Sequence, residues 1–272
     1  MQLYTGLGRA MGVSEEPYAI AAEISMEYNR RDGSNFCLLR IPRFTLTGKR
    51  IMPRVALAGG RIGKGMAVGN YIKQEKALCV INAGLFNASS MVPLGQTVIN
   101  GSSVSNSNIT TVDGAVISSA ECYPLCIDGN GDLSAPYARG TSTSTLIAAG
   151  VVHAVTGWGQ MIGNFSASNS SKFNEIVHNG KYIRQCIGQY DNGDYMVCTV
   201  DASCKGKAAN DAGMTYDTLA DLLTARGVKF AYSLDGGSSA ETVIGLRQIN
   251  PLYEGTSGQA VATVIRFDVE EV

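Results

Sequence analysis

The sequence predicts an α+β (mixed α/β) fold: a mixed sheet with a C-terminal βαβ unit and several antiparallel hairpins. Three observations carry this. Ile20, Ala22, Ile24, Met26 and Tyr28 alternate with Glu23, Ser25 and Glu27, the period of two that marks a half-buried strand. Residues 96–150 hold short apolar runs separated by Gly, Asn and Asp, the pattern of strands joined by tight turns. Residues 195–235 read strand, helix, strand, which is the make-up of a βαβ unit.

In chain order, Asp32-Gly33 supplies a hairpin turn between the first strand and "NFCLLRI", because Asp-Gly tolerates the left-handed backbone such turns need. A Gly-rich loop follows, "GGRIGKGMAVG", then a short helix near residues 68–76 and a buried strand at 77–81. "QTVIN", "AVISS", "ECYPLCI" and "STLIAAG" are read as antiparallel strands. "GVVHAVTGWGQMI" is a strand entering a Gly/Trp loop, and "GNFSASNSSKFNE" is polar enough for an exposed loop. In the last third, "DYMVCTVD" is a short apolar strand. "TYDTLADLLTARG" has an N-cap at Thr215, Asp217 in its first turn, Gly227 past its end, and Leu219, Leu222 and Leu223 on one face. "VKFAYSLD" is the next strand. Parallel strands of a βαβ unit end at one sheet edge, so Asp201 and Asp235 are expected side by side at the rim where open sheets place ligands. Asn82 joins that rim if the strand before it runs parallel. The chain is read as one domain, 1–272, with residues 1–33 forming the N-terminal segment and first hairpin strand.

Composition narrows the function. A chain of 272 residues with 45% apolar and 17% charged residues is long enough to bury roughly 70–75% of its unfolded surface. The formal charge of −1 and the lack of a basic run exclude a nucleic-acid polymer as an electrostatic partner. No apolar run reaches the ~20 residues of a membrane span, so no membrane partner is expected. The N-terminus carries no signal-peptide pattern, which favours a cytoplasmic or virion-associated protein over a secreted one; for that reason the sequons at Asn87 and Asn164 are not read as glycans. The seven cysteines are scattered, several within apolar runs, and read as reduced structural thiols; Cys122/Cys126 and Cys198/Cys204 are the pairs worth testing.

Four features could carry chemistry. In "SLDGGSSAE", Gly236 and Gly237 lack a Cβ, so their amides can approach an anion. Asp235, Ser238 and Ser239 add a carboxylate and hydroxyls; an ordinary Asp-Gly hairpin turn explains the stretch equally well. In "VINAGLFNASS", Asn82, Gly84 and Asn87 follow a buried strand. Asn both donates and accepts and suits sugar or phosphate oxygens, although a capped turn is the plainer reading. Arg184 can hold a phosphate bidentately, against the ordinary alternative of a solvated strand-edge arginine. "DGNGD" at 128–132 starts like a calcium loop, but Arg139 stands where a bidentate Glu is required; it is read as a hairpin turn. The Gly-rich loop lacks Walker spacing, His153 and His178 are too few and too far apart for zinc, and His153 is read as buried in a strand. No metal site or cofactor is expected, with a divalent ion left open.

The ordered series "INAGLFN…PLG…ING", "AVTGWGQMI", "RQCIG…DNGDYMVCTVDA" and "GMTYDTLADLLTARGVKFAYSLDGGSSA" resembles the phosphodiester glycosidase family from about residue 34 to 267, with "GQAVATVIRF" similar to its closing strand. Ser238 stands at the third glycine of the family pattern, Ala240 at its second hydroxyl, and Gly258 or Gln259 where an arginine is frequent. The resemblance implies hydrolysis of a sugar C1–O–phosphate bond in a small-molecule or glycan phosphodiester of the N-acetylglucosamine-1-phosphate type. It further implies Arg184, the Gly236 and Gly237 amides and Ser239 on the phosphate, and Asp235 or Asp201 as nucleophile or general base. Asn82 and Thr156 would orient substrate hydroxyls, with Gly84, Asn87, Gly157 and Ser238 lining the site. Two alternatives stand beside this: an enzyme or sponge for a soluble cyclic or sugar nucleotide, and a non-catalytic carbohydrate-binding or virion component on the same fold.

Overall fold

The computed structural model describes residues 23–107, 111–112, 115–116, 122–168, 180–201, 213–253 and 258–270. His178, Cys204, the residues before 23 and most of the polar stretch after Ala167 lie outside them. Strands are numbered in chain order. The first hairpin joins β1 (Ser25–Arg31) to β2 (Ser34–Ile41), and its turn residues Asp32 and Gly33 have φ of 50° and 82°, the left-handed pair that this turn requires. There follow β3 (Ile51–Leu57), helix α1 (Val68–Gln74), β4 (Cys79–Asn82), the short pair β5 (Phe86–Asn87) and β6 (Val92–Pro93), then β7 (Gln96–Ile99) and β8 (Ser102–Asn106). Two-residue strands β9 (Thr111–Val112) and β10 (Ala115–Val116) precede β11 (Pro124–Asp128) and β12 (Leu133–Ser134), which flank the "DGNGD" hairpin turn. Helix α2 (Thr143–Ala148) is followed by β13 (Val151–Thr156), β14 (Gly159–Gly163), β15 (Ser166–Ala167), β16 (Arg184–Gln189) and β17 (Tyr195–Val200). Helix α3 (Tyr216–Ala225), β18 (Phe230–Ser233), a 3-10 turn (Gly237–Ser239), β19 (Thr242–Ile244), β20 (Arg247–Gln248) and β21 (Thr263–Val269) complete the chain.

The strands form three main sheets, ordered β1-β2-β17-β16-β18-β14-β15, β20-β19-β4-β21-β3 and β12-β11-β13-β7-β8. The inner faces of all three meet in one core. Leu39, Ile187 and Val197 come from the first sheet, Ile81, Ile265 and Phe267 from the second, and Leu125, Ile127 and Val155 from the third. Among the described residues one helix packs on the outer face of each sheet: Leu219 and Leu223 of α3 on Phe36 and Cys198, Val68 and Ile72 of α1 on Val80 and Val264, and Leu146 of α2 on Val98 and Ala154. Strand periodicity explains the division: Val80 and Ile81 are sequence neighbours and belong to different clusters because successive side chains leave a strand on opposite sides.

Two expectations are corrected. Every neighbouring pair of the main sheets is antiparallel, so the sheets are not mixed. β17 and β18 do run in the same direction, with α3 between them in sequence, but β16 is inserted between them and antiparallel to both. The tight Asp191–Gly193 turn keeps β16 beside β17, and β18 takes β16's free edge. The second correction concerns "STLIAAG", which is α2 rather than a strand: Ser142 Oγ accepts the Thr145 amide at 3.1 Å, an N-cap, and Leu146 is fully buried. Helix α3 has the anticipated ends, with the Thr215 hydroxyl accepting from the Thr218 amide and Gly227 at φ 72°. Six cysteines (Cys37, Cys79, Cys122, Cys126, Cys186 and Cys198) are buried thiols, so Cys122 and Cys126 are not disulfide-bonded.

Candidate functional site

The stretch at 235–241 is a crossing between two sheets, not a hairpin turn. The chain leaves the first sheet with the Leu234 amide on the Gln185 carbonyl at 2.9 Å, and reaches the second with the Asp235 amide on the Ala83 carbonyl at 3.0 Å. Two buried asparagines hold the crossing. Asn82 donates Nδ2 to the Asp235 carbonyl at 2.7 Å and accepts the Glu241 amide at 3.2 Å. Asn250 accepts the Thr242 amide at 2.8 Å and donates to the Ala240 carbonyl at 2.9 Å. Asn82 is fully buried, so its side chain is spent on the loop rather than on substrate hydroxyls.

The glycines have distinct duties. A Cβ on Gly236 would lie 2.6 Å from the Ile183 carbonyl oxygen, so this residue is a close crossing with the residue before β16. Gly237 has open space around it and instead adopts φ 59°, a backbone that costs other residues energy. Neither amide forms an open anion nest: the Gly236 N–H is given to the Asp235 carboxylate at 2.9 Å and the Gly237 N–H to the Ile183 carbonyl at 3.1 Å. Gly84 and Gly157 are crossings too, since a Cβ would meet the Thr156 carbonyl at 2.9 Å and the Ser233 carbonyl at 2.5 Å respectively. The three motifs around Gly84, Gly157 and Gly236 thus converge at one place, packed backbone to backbone. Thr156 is buried and its hydroxyl both accepts the Gln96 amide and donates to the Gln96 carbonyl, so the expected contact with substrate hydroxyls is not available to it. Asn87 is exposed and accepts the Ser89 and Ser90 amides, an ordinary capped turn.

Asp201, Arg184 and Asp235 share one sheet edge. Arg184 opens β16 opposite Val200, the residue before Asp201, and Cys186 faces Ser233, two before Asp235. The aspartates are therefore not side by side. The strands they follow, β17 and β18, have β16 between them, a separation of two strand spacings, about 10 Å. Periodicity also divides the faces. Arg184 lies under α3, buried, donating Nε to the Met214 carbonyl at 3.1 Å and Nη2 to the Gly180 carbonyl at 2.8 Å, with its guanidinium 5.1 Å from the Tyr182 and Tyr216 ring centroids. Burial lowers its pKa. It is not the solvated strand-edge arginine that the plainer reading proposed. Asp201 lies on the inner side, buried, accepting from the Tyr28 hydroxyl at 3.2 Å. Asp235 is half-buried at the crossing.

Several residues here escape sequence reasoning. Tyr28 and Tyr182, 53% and 44% exposed, bring half-open rings to Asp201 and Arg184; nothing in their local patterns sets them apart. Ser238 Oγ donates to Gln259 Oε1, so two positions that depart from the family pattern touch each other. Ser239 is buried and Ala240 more so. Glu241 is buried beneath the loop and accepts the Val68 and Gly69 amides at 3.1 and 2.9 Å; burial raises its pKa, while those amides oppose the rise. Among the described residues no group of His, Cys, Asp and Glu is arranged to hold a metal, and no helix is long and apolar enough to cross a membrane.

Comparison with known families places these antiparallel sheets in a class of hydrolase domain. A family model, NAGPA, phosphodiester glycosidase, matches residues 75–267, and the chain belongs to the phosphodiester glycosidase family. Among solved structures it is similar to the zebrafish N-acetylglucosamine-1-phosphodiester alpha-N-acetylglucosaminidase catalytic domain auto-inhibited by its pro-peptide, with TM-score 0.66 and 17% identity over 91% of this chain and 83% of that one. It is also similar to a hypothetical protein from Synechocystis, TM-score 0.65 and 15% identity over 91% and 62% of the two chains. At such identities these likenesses show the fold. A prophage-derived uncharacterized protein of Bacillus subtilis, YomE, is 33% identical over 86 residues, which are 32% of this chain and 13% of that protein.

Proposed function

We propose that the protein hydrolyses a sugar-1-phosphodiester, breaking the bond between the anomeric carbon and the phosphate oxygen. The single observation that carries this reading is the setting of Asp235: a half-buried carboxylate on a backbone pinned by Ala83 and Asn82, at the crossing of the three family motifs. A group meant to act on a developing cation must be held still before the substrate arrives. Cleavage of a glycosyl bond passes through an oxocarbenium-like transition state, which a carboxylate stabilises as nucleophile or by activating water. The departing phosphate is itself a good leaving group and needs little acid help. Arg184, buried behind the rim, supports the phosphate through its positive field rather than by an open bidentate grip. Asp201, oriented by Tyr28, is the second carboxylate.

Asp235→Asn tests the assignment. Turnover of α-linked N-acetylglucosamine-1-phosphate diesters, followed by mass spectrometry, is expected to fall at least about 10²-fold with the unfolding midpoint unchanged; wild-type turnover in this variant would sink it. A second reading stands beside it, a virion-associated component that binds a carbohydrate without cleaving it; its one support is that YomE is prophage-derived. Offering the same diesters beside cyclic and sugar nucleotides separates the readings: product from the sugar diester supports the first, product only from a nucleotide moves the substrate class, and binding without product supports the second.

A further inference from the structure

A cavity of about 580 Å³ lies along β3, below the Gly-rich loop and between α1 and the β7–β8 hairpin. Its size falls within the roughly 300–1,000 Å³ of small-molecule sites, and none of the crossing residues lines it.

Its charges are arranged in an unusual way. Arg54 and Arg266 are direct cross-strand partners on β3 and β21, and like charges placed opposite each other on a sheet destabilise it. Only one of the two is fully answered. Arg266 donates Nε to Asp268 at 2.9 Å, Nη1 to the Tyr71 hydroxyl at 3.3 Å and to Glu75 at 3.2 Å, and Nη2 to the Lys76 carbonyl at 3.0 Å. The two acids of the cavity wall, Glu75 and Asp268, are thereby engaged. Arg54 keeps looser contacts, 3.4 Å to Glu270 outside the wall and 4.0 Å to Asp268, with its side chain 41% exposed. Lys64, also on the wall, is exposed and pairs with no acid among the described residues. The rest of the wall includes the partly exposed apolar side chains Ala56, Met66, Ile99 and Val104.

We propose that this cavity binds a phosphomonoester carried on a ring, with Arg54 and Lys64 on the phosphate and the apolar wall against the ring. Two cations match the charge of about −1.5 to −2 that a phosphomonoester carries at pH 7, which a single carboxylate does not. The guanidinium supplies a bidentate face and the ammonium a point charge. A sugar phosphate and a nucleoside monophosphate share this chemistry.

Titration calorimetry with a hexose 6-phosphate, adenosine 5′-monophosphate and inorganic phosphate tests the site. Saturable binding of at least one ester, stronger than that of inorganic phosphate, is expected, and the stronger ester identifies the source. Arg54→Gln and Lys64→Gln should each weaken it about tenfold, the usual effect of losing a charge-assisted hydrogen bond. Val104→Phe, which fills the cavity without touching a charge, should abolish it, and Asp235→Asn should leave it unchanged. Absence of binding at millimolar ester overturns the site. So does affinity no better than that of inorganic phosphate, binding that survives both the charge and the filling substitutions, or binding lost in Asp235→Asn alone. Because Asp235→Asn is one arm, failure of this site is distinguishable from failure of the hydrolase reading.

Discussion

An alanine at 236 would place its Cβ 2.6 Å from a main-chain oxygen, whereas one at 237 would meet no atom within 4 Å. The two glycines therefore fail differently. Gly236→Ala forces the crossing away from β16 and is expected to cost about 2–3 kcal/mol and most of the activity. Gly237→Ala pays only for its left-handed backbone, about 1 kcal/mol, and keeps most of the activity. Urea unfolding beside initial rates checks this, and equal losses would contradict it. His153 offers a pH-dependent test. Its Nδ1 accepts the Asn100 amide at 3.3 Å, and burial, aided by Arg54, pulls its pKa down to about 4. An unfolded histidine takes its proton near pH 6.5, so between those values the unfolded chain holds more protons. The stability that neutral His153 contributes is complete above about pH 6.5 and is lost as pH falls through 4, up to about 3 kcal/mol. Denaturant midpoints measured from pH 7 to 4 should fall less steeply in His153→Gln than in the wild type.

Helix α1 has seven residues, and its N-cap position, Ala67, offers no side-chain acceptor. Glu241, 172 and 173 positions away in sequence, serves instead, and its charge suits the positive end of the helix. Gly69 and Gly258 leave room for it, since a Cβ on either would approach a carboxylate oxygen to 2.9 or 2.7 Å. Glu241→Ala should cost about 1–2 kcal/mol, the scale of a lost cap. Glu241→Gln should cost less, because the amide oxygen still accepts one of the two bonds. Thermal melting of the two variants orders them, and a Gln variant as damaged as the Ala variant would show that charge, not the bond, matters. Helix α3, by contrast, carries its own cap in Thr215 and its own stop in Gly227, and for that reason its ends were readable.

Across the whole molecule, what could be read from sequence was what is encoded locally: the β1–β2 turn from Asp32-Gly33, α3 from its cap and leucine spacing, β17 and β18 from their apolar runs, and the family from an ordered motif series. What could not be read depends on partners distant in sequence. Nothing near 195–235 reveals that β16 inserts between β17 and β18, and that insertion is what separates Asp201 from Asp235. The motif glycines were visible but their duty was not, because a glycine that approaches a ligand and one that approaches another backbone look alike in sequence. Arg184 reads in sequence as a phosphate ligand or a solvated strand-edge residue, and its burial is not legible because Tyr216 and the Met214 carbonyl, which enclose it, come from the far side of β17.

The Asn82 clasp joins residues 153 positions apart. Contacts of such separation are slow to find during folding because a long loop must close before they reward it. The carboxylate at the crossing thus acquires its setting only when two sheets have already formed and docked, so competence is a late event in the life of each chain. On dilution from urea, far-ultraviolet circular dichroism should recover before hydrolytic activity, and Asn82→Ala should widen that delay. Simultaneous recovery of the two signals would mean the crossing assembles along with its sheets.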